Sequence, residues 1–166
     1  VTTEDEKSAI IATVFKNVGD EQIEYLKDVF SDKMELVNSQ GASSDKTSFI
    51  AGVENMMDLF DDIRFTDMNG DAEGAEIETN NYANGIVWTN IWNTFSATGK
   101  YTGQEVNFPF HISYQWEGNK IIKEVQFFDT TEIENEMNAK LAAANASEKI
   151  VVLLELKVNN GYSKAD

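Results

Sequence analysis

The chain has 166 residues, 42% of them hydrophobic and 11% aromatic, enough for one domain with a substantial core. Its 29 acidic against 13 basic side chains give a formal charge of −16, which makes nucleic acid and anionic lipid surfaces poor partners. The absence of cysteine and the single histidine exclude a disulfide framework, a thiolate nucleophile and a histidine-rich metal site, so neither metal nor other cofactor is expected.

Thr3-Glu4-Asp5-Glu6 reads as a capping box ahead of a helix with the stripe Ile10, Ile11, Val14, Phe15 and Val18, and Gly19 suits its end. Asp20 is placed to cap a second helix carrying Ile23, Leu26, Val29 and Phe30. Residues 33–39 alternate as a strand, with Met34, Leu36 and Asn38 on one face. Ser44 can cap a third helix that turns Phe49, Ile50, Val53, Met56, Met57 and Phe60 inward. Residues 63–68 read as a short strand running into an acidic turn at 69–74. Asp67, Asn69, Asp71 and Glu78 fit positions of a calcium-loop template, but Ala72 stands where that loop needs glycine and no helices flank it. The segment is read as an acidic turn, and a further strand follows it up to a break at 80–85.

Residues 85–129 read as three antiparallel strands, and they hold all three tryptophans, the only histidine and the only proline. Beyond them Thr131-x-x-Glu134 is a second capping box, opening a helix with Ile133, Met137 and Leu141 on one side. Residues 149–158 (KIVVLLELKV) read as a strand, too apolar to remain an unpaired edge. The domain is accordingly placed at 1–145, including that C-terminal helix. Residues 146–166 are set apart as an extra strand and tail of unknown pairing partner, a truncated second module being one reading. No apolar run approaches the roughly 20 residues of a membrane-spanning helix, so membrane insertion is not expected. The opening at Val1 without Met suggests upstream processing, which allows an exported or periplasmic protein without excluding a cytoplasmic one.

Helices first and a run of antiparallel strands after them predict an α+β fold, a curved antiparallel sheet forming a cone covered by the N-terminal helices. Such a cone is a common place for a small-molecule pocket. Alternation assigns Trp88, Asn90, Trp92 and Thr94 to one face of the first long strand. On the second strand Phe108, Phe110, Ile112, Tyr114 and Trp116 oppose Asn107, His111, Ser113 and Gln115. On the third, Ile121, Val125, Phe127 and Asp129 oppose Ile122, Glu124, Gln126 and Phe128. The aromatic sides are expected to line the cavity together. Trp88, Trp92, Phe110, Tyr114 and Phe127 would hold an apolar ligand, and Asn38 and Asn90 would orient it. The face with Asn107, His111, Ser113 and Gln115 suits a sheet-to-sheet dimer.

Four stretches together resemble the nuclear transport factor 2-like superfamily, in its SnoaL-like, polyketide cyclase-like branch. They are Leu59-Phe60-Asp61-Asp62-Ile63-Arg64-Phe65-Thr66, Thr98-Gly99-Lys100-Tyr101-Thr102-Gly103, Gly118-Asn119-Lys120-Ile121 and Phe127-Phe128-Asp129. The resemblance covers roughly residues 9–129. It implies a cystatin-like roll around an apolar pocket, homodimers through the outer sheet face, and a bacterial source. The cyclase-type histidine falls at Tyr101, the cyclase-type aspartate at Ile112 and the isomerase-type base at Asn38, so neither family mechanism transfers by position. The first reading is therefore a small-ligand binding protein, homodimeric, with no transferable catalytic base. An alternative is a cyclase or isomerase that uses His111, Asp129 or Tyr101 instead, and a third is a purely structural dimerisation domain.

Overall fold

The structure, a computed structural model, describes residues 5–68 and 75–160, the last ten of them as backbone path. The chain runs α1 (Glu6–Gly19), α2 (Glu24–Val29), β1 (Phe30–Val37), β2 (Ser43–Asp45), α3 (Lys46–Leu59), β3 (Phe60–Thr66) and β4 (Glu76–Asn81). The long strands β5 (Val87–Gly99), β6 (Glu105–Glu117) and β7 (Lys120–Phe127) follow, and α4 (Thr131–Asn160) ends it. This is the expected α+β arrangement.

Aspartates start the first and third helices. Asp5, in extended backbone, accepts the Ser8 N–H at 2.7 Å, and Asp45 accepts that of Ser48 at 2.9 Å, each satisfying an amide that the first helical turn leaves open. The caps expected at Asp20 and Ser44 are thus displaced: α2 starts after Ile23 without a side-chain cap, and Asp45 takes the role assigned to Ser44. Thr3 lies outside the described residues, as does the acidic turn at 69–74.

The strands form one sheet in the order β2-β1-β7-β6-β5-β3, with β4 on the same edge of β5 as β3 but nearer its start. Among the described residues only β1 and β7 pair in parallel, and the other pairs are antiparallel. Helices α1 to α3 cover one face, and Ile11, Leu26, Leu59, Phe60, Ile91 and Ile121 are wholly buried between the layers. A chain of hydroxyls ties α1 to the sheet. Ser8 meets Thr79 at 2.9 Å, Thr79 meets Thr89 at 2.9 Å, and the Trp116 indole donates to Thr89 at 2.9 Å. Buried hydroxyls in such a sequence are satisfied by each other, which removes the penalty of their desolvation.

Helix α4 is fastened at the β5–β6 turn. Glu136, 1% exposed, accepts the Tyr101 N–H, the Thr102 N–H at 3.3 Å and the Thr102 hydroxyl at 2.6 Å. Gly99 lies so close beneath it that a Cβ there would stand 2.2 Å from the Glu136 carboxylate. Lys140 adds an ion pair to Asp58 on α3.

The strand expected at 149–158 is not formed: α4 continues through it to Asn160. The segment follows an Ala-, Glu- and Lys-rich stretch with no Gly or Pro between Thr131 and Gly161. A helix already nucleated adds one hydrogen bond per residue fixed, and a run of Leu and Val is not enough to stop it. Among the described residues no helix is long and apolar enough to cross a membrane.

Candidate functional site

Pairing across the β5–β6 hairpin decides which side chains meet. Trp92 sits opposite His111, Asn90 opposite Ser113 and Trp88 opposite Gln115, while Thr89, Ile91, Asn93 and Phe95 face Tyr114, Ile112, Phe110 and Phe108. The turn sets this register, Gly99 N–H donating to the Gln104 carbonyl at 2.8 Å and Gly103 N–H to that of Gly99 at 2.9 Å. The expected common face therefore divides. Phe110 and Tyr114 point under the helices, and Trp88, Asn90 and Trp92 lie on the outer side of the sheet.

A bulge corrects the third strand as well. Gln115 pairs with Lys123 and Trp116 with Ile121, so Ile122 is one residue without a counterpart on β6. A bulge changes the parity of every residue after it. Ile121 is buried, but beyond the bulge it is Glu124, Gln126 and Phe128 that turn inward. Val125 and Phe127 turn out, and Phe127 is 54% exposed.

Under the helices these residues line a half-open chamber of about 140 Å³. Its walls are Val14, Phe15 and Val18 of α1, Phe49, Val53 and Met56 of α3, and the β6 rings Phe108 and Phe110. Its polar groups are Tyr114, Glu124 and Gln126. Glu124 is 2% exposed, lies directly across from Tyr114 on the neighbouring strand, and accepts from the Gln126 amide at 2.8 Å. Among the described residues no cation pairs with it. Burial pushes the Glu124 carboxyl up from 4.5 to about 7, although hydrogen bonds from Gln126 and Tyr114 pull the other way. Tyr114 is raised well above the usual phenol value, first by burial and then by the carboxylate beside it. The chamber thus holds a carboxyl able to accept or release a proton near neutral pH, next to a phenol that stays protonated. Sequence reading missed Glu124 because plain alternation placed it outward. The signal that could have found it is the Ile121-Ile122 pair, two consecutive apolar residues where alternation allows one.

The other residues expected at a site lie elsewhere. Asn38 forms the β1–β2 turn, its Oδ1 accepting from Gln40 N–H at 3.0 Å and Ala42 N–H at 2.9 Å. Tyr101 is 40% exposed at the tip of the β5–β6 turn. Asp129 is exposed and accepts from the Thr131 N–H at 2.9 Å and the Thr131 hydroxyl at 2.5 Å, contacts that hold its carboxyl below the usual range. It turns the chain into α4, so the enzymatic reading loses that carboxylate. His111 is on the outer face, stacked on Trp92 at 4.6 Å and on Phe127 at 5.4 Å. Its Nδ1 lies 3.1 Å from the Ile91 carbonyl and its Nε2 3.2 Å from the Ser113 hydroxyl, which donates to Asn90 at 2.6 Å.

No protein-family model matches the chain, and no curated protein matches it. Solved structures do. A candidate polyketide cyclase from a Silicibacter species is similar at a TM-score of 0.62 and 15% identity, over 78% of this chain and 93% of that one. A candidate polyketide cyclase from Xanthomonas campestris gives a TM-score of 0.61 at 10% identity, over 76% and 92%. A nuclear transport factor 2-like protein of unknown function from Burkholderia pseudomallei gives 0.60 at 10% identity, over 78% and 95%. At these identities the likeness is one of fold, and function has to be argued from the site.

Proposed function

We propose that this chain, which has the nuclear transport factor 2-like fold in its SnoaL-like form, binds a small cyclic carbonyl compound in the chamber and moves a proton on it with Glu124. The observation that carries the reading is the inward Glu124 carboxyl, buried among apolar walls beside Tyr114 and raised to about 7. A base poised near the working pH combines a usable ionised fraction with a real driving force for taking a proton. Glu124 takes the proton from the carbon next to the carbonyl, Tyr114 donates a hydrogen bond to the oxygen on which negative charge gathers, and the carboxyl returns the proton to the same or another carbon. This is the chemistry of enolisation and double-bond migration.

Volume limits the guest. A chamber of about 140 Å³ is close to the roughly 150 Å³ cavity that admits benzene, and below the roughly 300 Å³ at which pockets for drug-sized ligands begin. One ring fits inside, and a fused polycycle would extend out through the open side. The neighbours' polyketide cyclase label therefore carries over as carbonyl-directed proton transfer, with a smaller substrate.

The experiment is deuterium incorporation into monocyclic ketones in heavy water, with mass-spectrometric readout. Glu124→Gln is expected to lose about 10²- to 10⁴-fold in exchange rate, the usual contribution of a positioned base. The wild-type rate should rise with pH through about 7, as the carboxyl ionises. Exchange equal in both proteins would refute the catalytic role.

A second reading, a binding protein without turnover, is favoured by the hydrogen bonds that Gln126 and Tyr114 already make to Glu124. It predicts ketone binding with no exchange in either protein. In both readings the outer face, where Trp92, His111 and Phe127 stack, is the contact of a homodimer.

A further inference from the structure

Three polar side chains stand on the otherwise apolar wall of the chamber, and the proposed proton transfer uses two of them. Glu124 handles the proton and Tyr114 the carbonyl oxygen, which leaves Gln126. The bulge that turns Glu124 inward turns Gln126 inward too; it is half-buried and lies across from Ile112 on β6. A primary amide offers two N–H groups and a carbonyl oxygen. One N–H goes to Glu124 Oε1 at 2.8 Å. The second N–H and the carbonyl oxygen make no hydrogen bond to any described residue. Among those residues the Ser39 and Thr66 hydroxyls are buried without a partner, and the Gln126 oxygen is not in that condition, so it reaches open space.

The surroundings offer these groups nothing. Next along the inward side of β7 stands Phe128, stacked on Phe108 with ring centres 5.8 Å apart. The helices bring apolar side chains to the opposite wall. The polar groups thus gather along β6 and β7, and a ring in the chamber sits with its apolar side to the helices and its polar edge to these strands. Tyr114 answers the carbonyl at that edge. The unused donor and acceptor of Gln126 suit a hydroxyl, which meets either of them because it both gives and accepts a hydrogen bond. Once such a ring displaces water, the amide is matched; a ring without the hydroxyl leaves it unmatched, at a loss in affinity.

We infer that Gln126 is a specificity-determining residue and that the chamber takes a hydroxylated cyclic ketone, whose hydroxyl, on a carbon away from the reacting carbonyl, bonds to the Gln126 amide. This rests on the reading of the chamber as a ketone site, but it requires binding alone and not turnover.

Cyclohexanone and the 3- and 4-hydroxycyclohexanones serve as probes, titrated into the ¹⁵N-labelled chain and followed by NMR. One of the hydroxyketones is expected to bind about tenfold more tightly than cyclohexanone, the worth of one hydrogen bond, and to shift the Gln126 side-chain amide to saturation. Gln126→Met keeps the length of the side chain and removes both hydrogen-bonding groups, so the preference should fall from about tenfold to none. Taking the ratio of two ligands on one protein cancels any effect of the substitution on Glu124 that both ligands feel. If Gln126→Met does not fold, the wild-type preference and the amide shift decide. Deuterium exchange measured alongside separates the two claims. A tenfold preference with equal exchange in wild type and Glu124→Gln supports this inference and refutes the catalytic role; exchange that depends on Glu124, with no preference for the hydroxyl, does the reverse. The inference is overturned by hydroxyketones that bind no more tightly than cyclohexanone, by a preference that survives Gln126→Met, or by binding that leaves the Gln126 amide signal in place.

Discussion

Glu124→Gln should change how stability depends on pH, because a buried carboxyl with a raised titration point couples protonation to folding. In the folded chain Glu124 titrates at about 7, against 4.5 unfolded, so at intermediate pH the folded state binds the proton more tightly. The stabilisation from that proton is full below the unfolded value and is lost as pH rises through about 7. A displacement of this size corresponds to about 3 kcal/mol. For a chain of this length that is roughly 6–12 °C in Tm. Glutamine keeps the shape and carries no charge at any pH. The assay is urea or thermal denaturation of both proteins from about pH 5 to about pH 8.5. Near pH 5 the two should be closest, and by pH 8.5 the variant should gain about 3 kcal/mol relative to wild type. The difference curve cancels groups the two proteins share. Asp32, Glu35, Asp45, Asp58 and Asp129 are held below the ordinary range by hydrogen bonds and ion pairs, so they stabilise above their unfolded values and lose that only under more acid conditions. Parallel curves across the whole range would refute the reasoning.

Other expectations follow from packing and pairing. Gly99→Ala puts a methyl into the Glu136 carboxylate and should cost about 1–3 kcal/mol in denaturation. Glu136→Ala leaves the turn amides it holds unmatched and should cost a similar amount, about 1–3 kcal/mol, with the double variant showing strong non-additivity. Phe127→Asp places a charge in the stacked outer face and should shift sedimentation towards monomer, with the Glu124 titration unchanged. Deleting Ile122 removes the bulged residue while keeping Ile121, Lys123 and Glu124 in their pairing pattern. The variant should therefore fold within about 3 kcal/mol of the parent and retain the raised carboxyl, whereas deleting Val125 should turn Gln126 and Phe128 outward and abolish the chamber.

The layers and the order of elements could be read from periodicity, since the stripes on α1 and α3 and the apolar alternation on β6 each favour one arrangement. The motifs at 59–66, 98–103, 118–121 and 127–129 pointed to the fold that the solved structures share. The inward residues of β6 were legible for the same reason: Phe108, Phe110, Ile112, Tyr114 and Trp116 are unmistakable against Asn107, His111, Ser113 and Gln115. On β5 the two faces are nearly matched in polarity, with Thr89 and Asn93 on the buried side and Trp88 and Trp92 on the other. Side-chain pattern then cannot choose between them, and the hairpin turn does. On β7 a single bulged residue reversed the assignment and hid Glu124. At 149–158 a run of Val and Leu looks the same to a strand as to a helix, and what decides is the helix already propagating into it.

The central claim, an inward carboxyl poised near neutrality, is tested most directly by following the Glu124 side-chain carbon in a ¹³C NMR pH titration, assigned by comparison with Glu124→Gln. The account predicts a midpoint of about 7. A midpoint at the ordinary 4.5 of a solvated glutamate would contradict it.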